Sequence, residues 1–574
     1  MKRIAHQADF CVVGGGLAGL CAAVAAARHG AKTVLMHDRA VLGGNCSSEI
    51  RMWICGAHGK NNKETGLLEE IQLANLARNP AMNYSIWDSV LYGTAMAEPN
   101  LTLLLNCSCC GAVMDGSRIA SVKGWQGAAE TWHTVRAKLF ADCSGDSILA
   151  PLTGAEYRVG REGRAEFGEP IAPEQPDRKT MGMSCLLQLR DTGRPQAFIP
   201  PDWAHTYPSD DDLPHANHDL STNFWWIELG GEGDSIHDTE KLRDELLKIA
   251  FGVWDHIKNY GGSEGDAGHG AENYALEWLG FLPGKRESRR YAGDHILTQH
   301  DIEAYGSIGD VGPFEDIVAY GGWSMDDHFP AGFRYRGGHP TIYHPAPSPY
   351  GIPYRCLYSK NINNLYFAGR NISVTHAALS STRVMATCAL LGQAAGTAAA
   401  LAARENRAPR EVNIHELQRA LMADDCWLPG LRQPVPDFIA GEHVLTNGHD
   451  RGDENAWTCR AGDSAEIAFT RPVRLSQLRV VFDSDLNDNK RMPHIWPLGE
   501  HRRGLPDCLV KSYTLSARVN GDWAALAHVA HNCRRLAVHP ADCTADAIRL
   551  SVHASYGARA FRVFSLYAIA RLEA

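Results

Sequence analysis

This 574-residue chain has no long run of charge of either sign and no uninterrupted apolar stretch of 18 residues. The balance of 56 basic against 66 acidic residues, net −10, argues against nucleic acid or an anionic membrane as a partner. The Ala-rich segment near 384–403 is broken by Gly392, Gln393 and Gly396, so it reads as a buried helix rather than a membrane span. The sixteen cysteines lack the C-x2-C repetition of zinc or iron–sulfur sites. Their only cluster, Cys107-x-Cys109-Cys110, has neither spacing, so no metal is expected. Cys11, Cys21, Cys185 and Cys388 sit in apolar runs, where a free thiol acts as a small hydrophobe. That usage fits a reducing compartment better than a disulfide framework, and a soluble cytoplasmic protein is expected. Lys2 and Arg3 ahead of an Ala-rich stretch imitate a signal peptide, but four glycines among residues 14–19 account for that stretch differently.

Those glycines form Gly14-x-Gly16-x-x-Gly19 in full context. Ala8–Val13 reads as a buried strand, Leu17–His29 as a helix, and Thr33–Met36 as a second strand running to Asp38. In such a unit the first glycine permits the tight turn, the second admits a pyrophosphate and the third lets helix pack on strand. Phosphates then meet the helix N-terminus, and an acid at the second strand's end takes a ribose hydroxyl. Dinucleotide binding follows.

Further along, Leu101–Leu105, Arg118–Trp125 and Thr131–Ala137 predict an antiparallel meander, after which Leu139–Asp146 returns to the sheet. Residues 151–355 are irregular and β-leaning, with one amphipathic helix from about Glu240 to Ile257. Leu365–Phe367 predicts a strand ending at Gly369-Arg370, and Ser380–Ala403 a long helix whose Ser380-Ser381-Thr382 start offers an N-cap. The Pro- and Gly-punctuated run from Trp427 to Asp450 reads as a linker. Beyond it, short alternating strands predict an antiparallel sandwich that folds as a separable unit without cofactor ligands. The expected architecture is α/β: a Rossmann-like domain from residues 1–150 and 356–430, an inserted β-rich substrate domain at 151–355, and a β-sandwich at 435–574.

Several motifs together carry a resemblance: Val13–Gly19, Asp38-Arg39, Leu42–Arg51, Cys143-Ser-Gly-Asp146, Leu282–Arg290, Tyr350–Arg355, and Leu365–Arg370 through Gly392–Gly396. The first 403 residues resemble the FAD-dependent oxidoreductases related to glutathione reductase and succinate dehydrogenase, in the branch found beside bacterial carbohydrate-degradation genes. The sandwich loosely resembles discoidin-type, galactose-binding-like modules. The resemblance implies FAD, with Gly14, Gly16, Leu17, Ala18 and Gly19 at the pyrophosphate and Asp38 and Arg39 at the adenosine. Gly43, Gly44 and Asn45 would follow the ribityl and flavin, and Gly145, Asp146, Gly369 and Arg370 would also bind cofactor. The helix at Ser381 would aim its positive end at the flavin pyrimidine. Cys46 is followed by Ser47 and Ser48, so the disulfide-reductase relay is not expected, and no second glycine fingerprint marks an NAD(P)H domain.

The expected activity is hydride transfer from a small polar, carbohydrate-derived substrate, a sugar or sugar acid, to flavin. The alternatives are a redox-neutral hydratase, lyase or glycosidase working through transient oxidation of a sugar carbinol, and a flavin-bearing binding or regulatory module. A carbinol needs a base within reach of its hydroxyl, and histidine is the commonest. The candidates are His376, between the Gly-Arg turn and the flavin-facing helix, then His58 and His344. Arg51 is a candidate carboxylate partner.

Overall fold

The structure is a computed structural model that describes residues 1–214, 220, 222–260, 270–304, 314–496 and 504–571. Strand β1 (Lys2–Val13) leads through the glycine turn into helix α1 (Leu17–Arg28), which is buried along nearly its whole length. Strand β2 (Thr33–Met36) then pairs with β1 in parallel. Strand β3 (Leu101–Leu104) lies parallel beyond β2, so it belongs to the parallel core and not to the expected meander. The meander is β4 (Cys107–Asp115), β5 (Arg118–Gln126) and β6 (Thr131–Asp142). The cysteine cluster therefore lies on a strand that the sequence reading missed.

Strand β6 joins two expected segments into one 12-residue strand with two roles. Its first half pairs antiparallel with β5. Its last residues pair in parallel with the later segment Leu365–Phe367, and it runs beside β1 throughout. Alternating burial in its first half, at Thr131, His133 and Val135, and the continuous apolar end Leu139–Ala141 match a strand that moves from a half-exposed sheet into a covered one.

The inserted region packs around Met183, Leu187, Trp226 and Trp254, with helix α2 (Thr239–Asn259) presenting the stripe that includes Leu246, Ala250, Val253 and Trp254. Within it, strand β7 (Met325–His328) pairs antiparallel with Thr341–His344. After β8 (Leu365–Phe367), the chain forms α3 (His376–Thr382) and then α4 (Met385–Glu405). The single helix expected from Ser380 is thus two helices, broken at Arg383-Val384, and Ser381 lies in the last turn of α3 instead of starting α4. Helix α4 is the one helix among the described residues long and apolar enough to cross a membrane, and it is 94% buried inside the molecule. It lies against α1, where a Cβ at Gly392 or Gly396 would stand 2.0 or 2.1 Å from the carbonyl oxygens of Ala18 and Ala22.

The C-terminal part is a sandwich built from β9 (Ser464–Phe482), β10 (Val510–Val519), β11 (Thr544–Ser555) and β12 (Phe561–Ala570), with shorter strands at its edges. Two expected strands merge in the 19-residue β9, which pairs with β11 along its first part and with β12 along its second. This unit is not loosely tethered. Lys490 and Glu69 form a buried ion pair at 3.1 Å, Arg535 and Asp425 another at 3.0 Å, and Met492 joins the core of the first domain. These contacts join the sandwich to the first domain, and the linker-like run 427–450 follows an irregular path, with Trp427 packed 4.0 Å from the Arg451 guanidinium just past its end.

Candidate active site

A cavity of about 730 Å³ is bounded at one end by the glycine turn of α1 and at the other by β7 and the N-terminus of α4. The glycine turn explains the first end. Gly14 has φ +102°, and a Cβ there would stand 2.4 Å from the Cys143 carbonyl carbon, while one on Gly19 would stand 1.8 Å from the Gly14 oxygen. Both are required by chain packing. A Cβ on Gly16 would meet nothing nearer than the Gly44 Cα at 3.9 Å, so this glycine borders open space wide enough for a pyrophosphate.

The loop is braced by a residue the sequence reading passed over. His37 Nδ1 accepts the Gly15 N–H at 2.9 Å and its Nε2–H donates to Val41 O at 3.0 Å. Burial pushes the His37 pKa below its usual value, so the ring is neutral and can accept. Its 3.3 Å approach to Asp38 is therefore not an ion pair. Asp38 keeps an exposed carboxylate on the rim, and Arg39 is held by Glu49 at 2.9 and 3.0 Å. On the opposite wall Asp146 takes Lys285 Nζ at 2.7 Å, Arg370 Nη2 at 2.9 Å and Ser288 Oγ at 2.8 Å. Burial would raise its pKa, but Arg370 and Lys285 hold it below the usual carboxylate range. The Nε of Arg370 is buried with no partner among the described residues.

Open space beside Gly16 and an unmatched guanidinium donor fit a bound dinucleotide. Gly14, Gly16, Leu17, Ala18, Asp38, Arg39, Gly43, Gly44, Asn45, Gly145, Asp146, Gly369 and Arg370 all line the cavity. Gly19 does not, because it serves the packing of α1. Ser381 does not either: its Oγ is committed to Tyr350 OH at 2.6 Å and Trp323 O at 2.5 Å. Helix α4, with Val384 as an extended N-cap, supplies the positive helix end that the sequence reading assigned to Ser381. Arg383, Val384, Met385 and Cys388 line the cavity there.

The far wall is built by β7 and the segment 284–286. Asp326 and His328 share one face of β7, and both line the cavity. His328 Nδ1 lies 2.6 Å from Glu228 Oε2, and Nε2 is 3.4 Å from Asp326 Oδ2. Glu228 is fully buried; burial would raise its pKa, but the Arg286 guanidinium 3.4 Å away holds it below the usual range, so it is a carboxylate. Asp326 also accepts Thr341 Oγ1 at 2.6 Å. Arg286 donates to Ser184 Oγ and Trp225 O, both at 2.9 Å. Arg383 Nη2 donates to Asp326, while Arg383 Nε and Trp323 Nε1 are buried without partners among the described residues. Trp53, Trp225, Trp323 and Tyr343 give this end aromatic faces.

None of the four catalytic candidates read from the sequence lies on that wall. His376 stands behind it, with Nδ1 2.8 Å from Glu287 and Nε2 3.0 Å from Asp327. Burial would lower its pKa, but the two carboxylates raise it to about 10, so it is an imidazolium with both nitrogens occupied and no base. His58 is exposed and stacks on Trp323 at 4.4 Å. His344 sits opposite Met325 in the neighbouring strand and is not a lining residue. Arg51 lies between the Tyr84 and Trp278 rings, 4.5 Å from each, and donates to Gln188 at 3.0 Å. His328 is what the sequence reading missed. Its signal was the alternation Asp326-x-His328, which acquires meaning only once that short segment is known to be a strand.

With the site in view, the match to known proteins is specific. Residues 9–421 fit the family model described as FAD dependent oxidoreductase, so the chain belongs to that family, and its cofactor is FAD. The sandwich lies beyond the matched residues. No curated protein matches the chain. Among solved structures it is similar to a geranylgeranyl bacteriochlorophyll reductase-like protein from Thermoplasma acidophilum, 13% identical over 74% of this chain and 88% of that one, TM-score 0.31. It is also similar to Mycobacterium smegmatis Sdh1 in complex with UQ1, 11% identical over 74% and 73%, TM-score 0.28. It is also similar to the family 32 carbohydrate-binding module from Streptococcus pneumoniae EndoD, 17% identical over 24% of this chain and 90% of the module, TM-score 0.19.

Proposed function

We propose that this FAD-dependent oxidoreductase oxidises a carbinol of a small, polar, carbohydrate-derived molecule, a sugar or sugar acid, with His328 as the proton acceptor. The observation that carries the reading is the His328–Glu228 pair on the cavity wall, beside two buried donors, Arg383 Nε and Trp323 Nε1, that have no partner among the described residues. FAD, when bound, supplies the hydride acceptor. Glu228 receives the Nδ1–H of His328, which fixes the tautomer and leaves Nε2 to take a hydroxyl proton; the buried carboxylate then stabilises the imidazolium that forms. At 3.4 Å from Asp326 Oδ2, Nε2 makes no close hydrogen bond to that carboxylate, and its lone pair is open to a substrate hydroxyl. The unmatched donors suit acceptor oxygens, the aromatic walls suit the apolar face of a ring, and Arg286 and Arg383 suit the carboxylate of a sugar acid.

The test is anaerobic mixing of the holoenzyme with a panel of sugars, glycosides and sugar acids while flavin absorbance is followed. Bleaching by a member of the panel supports the reading, and an unchanged spectrum with every member opposes it. If colour returns without oxygen while product accumulates, the net reaction is redox-neutral and the same residues serve elimination or hydration.

A further inference from the structure

We propose that the C-terminal sandwich is part of the active site, because its loop from Asp483 to Trp496 holds the cavity-lining Trp53 in place through His494 and Arg491. Trp53 belongs to the irregular segment 51–65, which has no helix or strand to set its side chains. Its indole N–H donates to Cys55 Sγ at 2.9 Å, and the Cys55 carbonyl accepts the Ala386 N–H at 3.0 Å, so the ring stands at the N-terminus of α4. One flank of the ring faces the cavity. His494 packs on it with ring centroids 4.4 Å apart, and the Arg491 guanidinium lies 5.0 Å from its centroid.

The loop reaches that position because it is anchored along its length. Asn487 and Asn61 exchange hydrogen bonds at 2.7 and 2.8 Å, and the Lys63 ammonium donates to Asp488 O at 2.6 Å. Lys490 pairs with buried Glu69, Met492 fills the first domain's core beside Asn75, and Pro493 O accepts from Tyr84 OH at 2.8 Å and Gln188 at 3.1 Å. These anchors explain why the loop is ordered against the first domain. They do not require a histidine and an arginine packed against a cavity-lining indole. That placement makes His494 and Arg491 positioning residues: they touch neither cofactor nor substrate, and they act by fixing the shape of the wall that Trp53 forms.

The inference needs the flavin but not the identity of the substrate, so its test stands apart from that of the proposed function. Holoenzyme is reduced anaerobically with dithionite as a small probe that must enter the cavity, and the rate of flavin bleaching is measured for wild type, His494→Ala, Trp53→Ala, the double variant and His494→Phe. His494→Ala is expected to change the rate by about twofold or more, in the range usual for coupling between touching residues. In the Trp53→Ala background the same substitution should have no further effect, and His494→Phe, which keeps a ring on the indole, should restore the wild-type rate. Glu466→Gln alters an exposed ion pair with Arg549 on the sandwich, away from the loop, and should leave the rate unchanged. A wild-type rate in His494→Ala overturns the proposal, as do additive effects of the two alanine substitutions. If His494→Ala loses FAD, the phenylalanine variant decides alone: a wild-type rate supports positioning by the ring, and an altered rate refutes it.

Discussion

At the scale of single residues the division of labour between two histidines is set by their neighbours. His376 is caged by Glu287 and Asp327, and Arg290 and Glu162 extend the same buried charge network. Removing the imidazolium takes from largely buried Asp327 its ion-pair partner and leaves Glu287 with Arg290 alone, so His376→Gln should destabilise the protein by about 3–5 kcal/mol. The sign with pH follows from its raised pKa. The ordinary value is 6.5 and the folded value about 10, so the contribution is complete below about pH 6.5 and is lost as pH rises through 10. Thermal unfolding of wild type and variant from pH 6 to 10 should therefore show a gap that is widest at the acid end and narrows toward pH 10. A gap that widens with pH would contradict the assignment.

At the scale of elements, the dinucleotide half was legible in the sequence and the substrate half was not. The glycine spacing, the apolar run of β1 and the Ala-rich α1 are local signals, each set by the backbone demands of one turn or one buried strand. Gly16 shows how far such a signal goes. With nothing within 3.9 Å of its missing Cβ, Gly16→Val should fold as wild type by circular dichroism yet bind no FAD, since the valine would fill the space the pyrophosphate needs. A yellow Gly16→Val protein would contradict this placement. Gly392→Ala should instead lower stability, by about 1–3 kcal/mol, because its Cβ would stand 2.0 Å from a carbonyl of α1. The four-residue strand β7 carries no comparable local signal, and the partner of His328 on which the proposed proton transfer depends, Glu228, is a hundred residues away in the chain. The break between α3 and α4 was hidden for a similar reason. Residues 376–403 are all compatible with helix, and the interruption at Arg383-Val384 coincides with a tertiary contact, Arg383 on Asp326.

At the scale of the whole molecule, composition suggested a tethered module where the structure has an interlocked one. A chain ended after Arg432 would strand Glu69 without Lys490 and Asp425 without Arg535 and would remove Met492 from the first core. Breaking one buried pair costs about 3–5 kcal/mol, a large share of a typical stability of about 5–15 kcal/mol. That truncated protein should be insoluble or free of flavin on purification, and a stable yellow product would show the sandwich to be dispensable. The central claim, however, concerns the wall on which the chemistry takes place: His328, not His376, handles the proton. The most direct measurement is anaerobic flavin bleaching by a substrate from the panel in His328→Asn and His376→Asn side by side, with flavin content and unfolding midpoint recorded for both. The account predicts that His328→Asn stays folded and yellow but bleaches about 10²–10⁴ times more slowly, while His376→Asn unfolds at a lower temperature and the flavin it retains bleaches at the wild-type rate. The reverse pattern, normal bleaching in His328→Asn and slow bleaching in a stable His376→Asn, would contradict it.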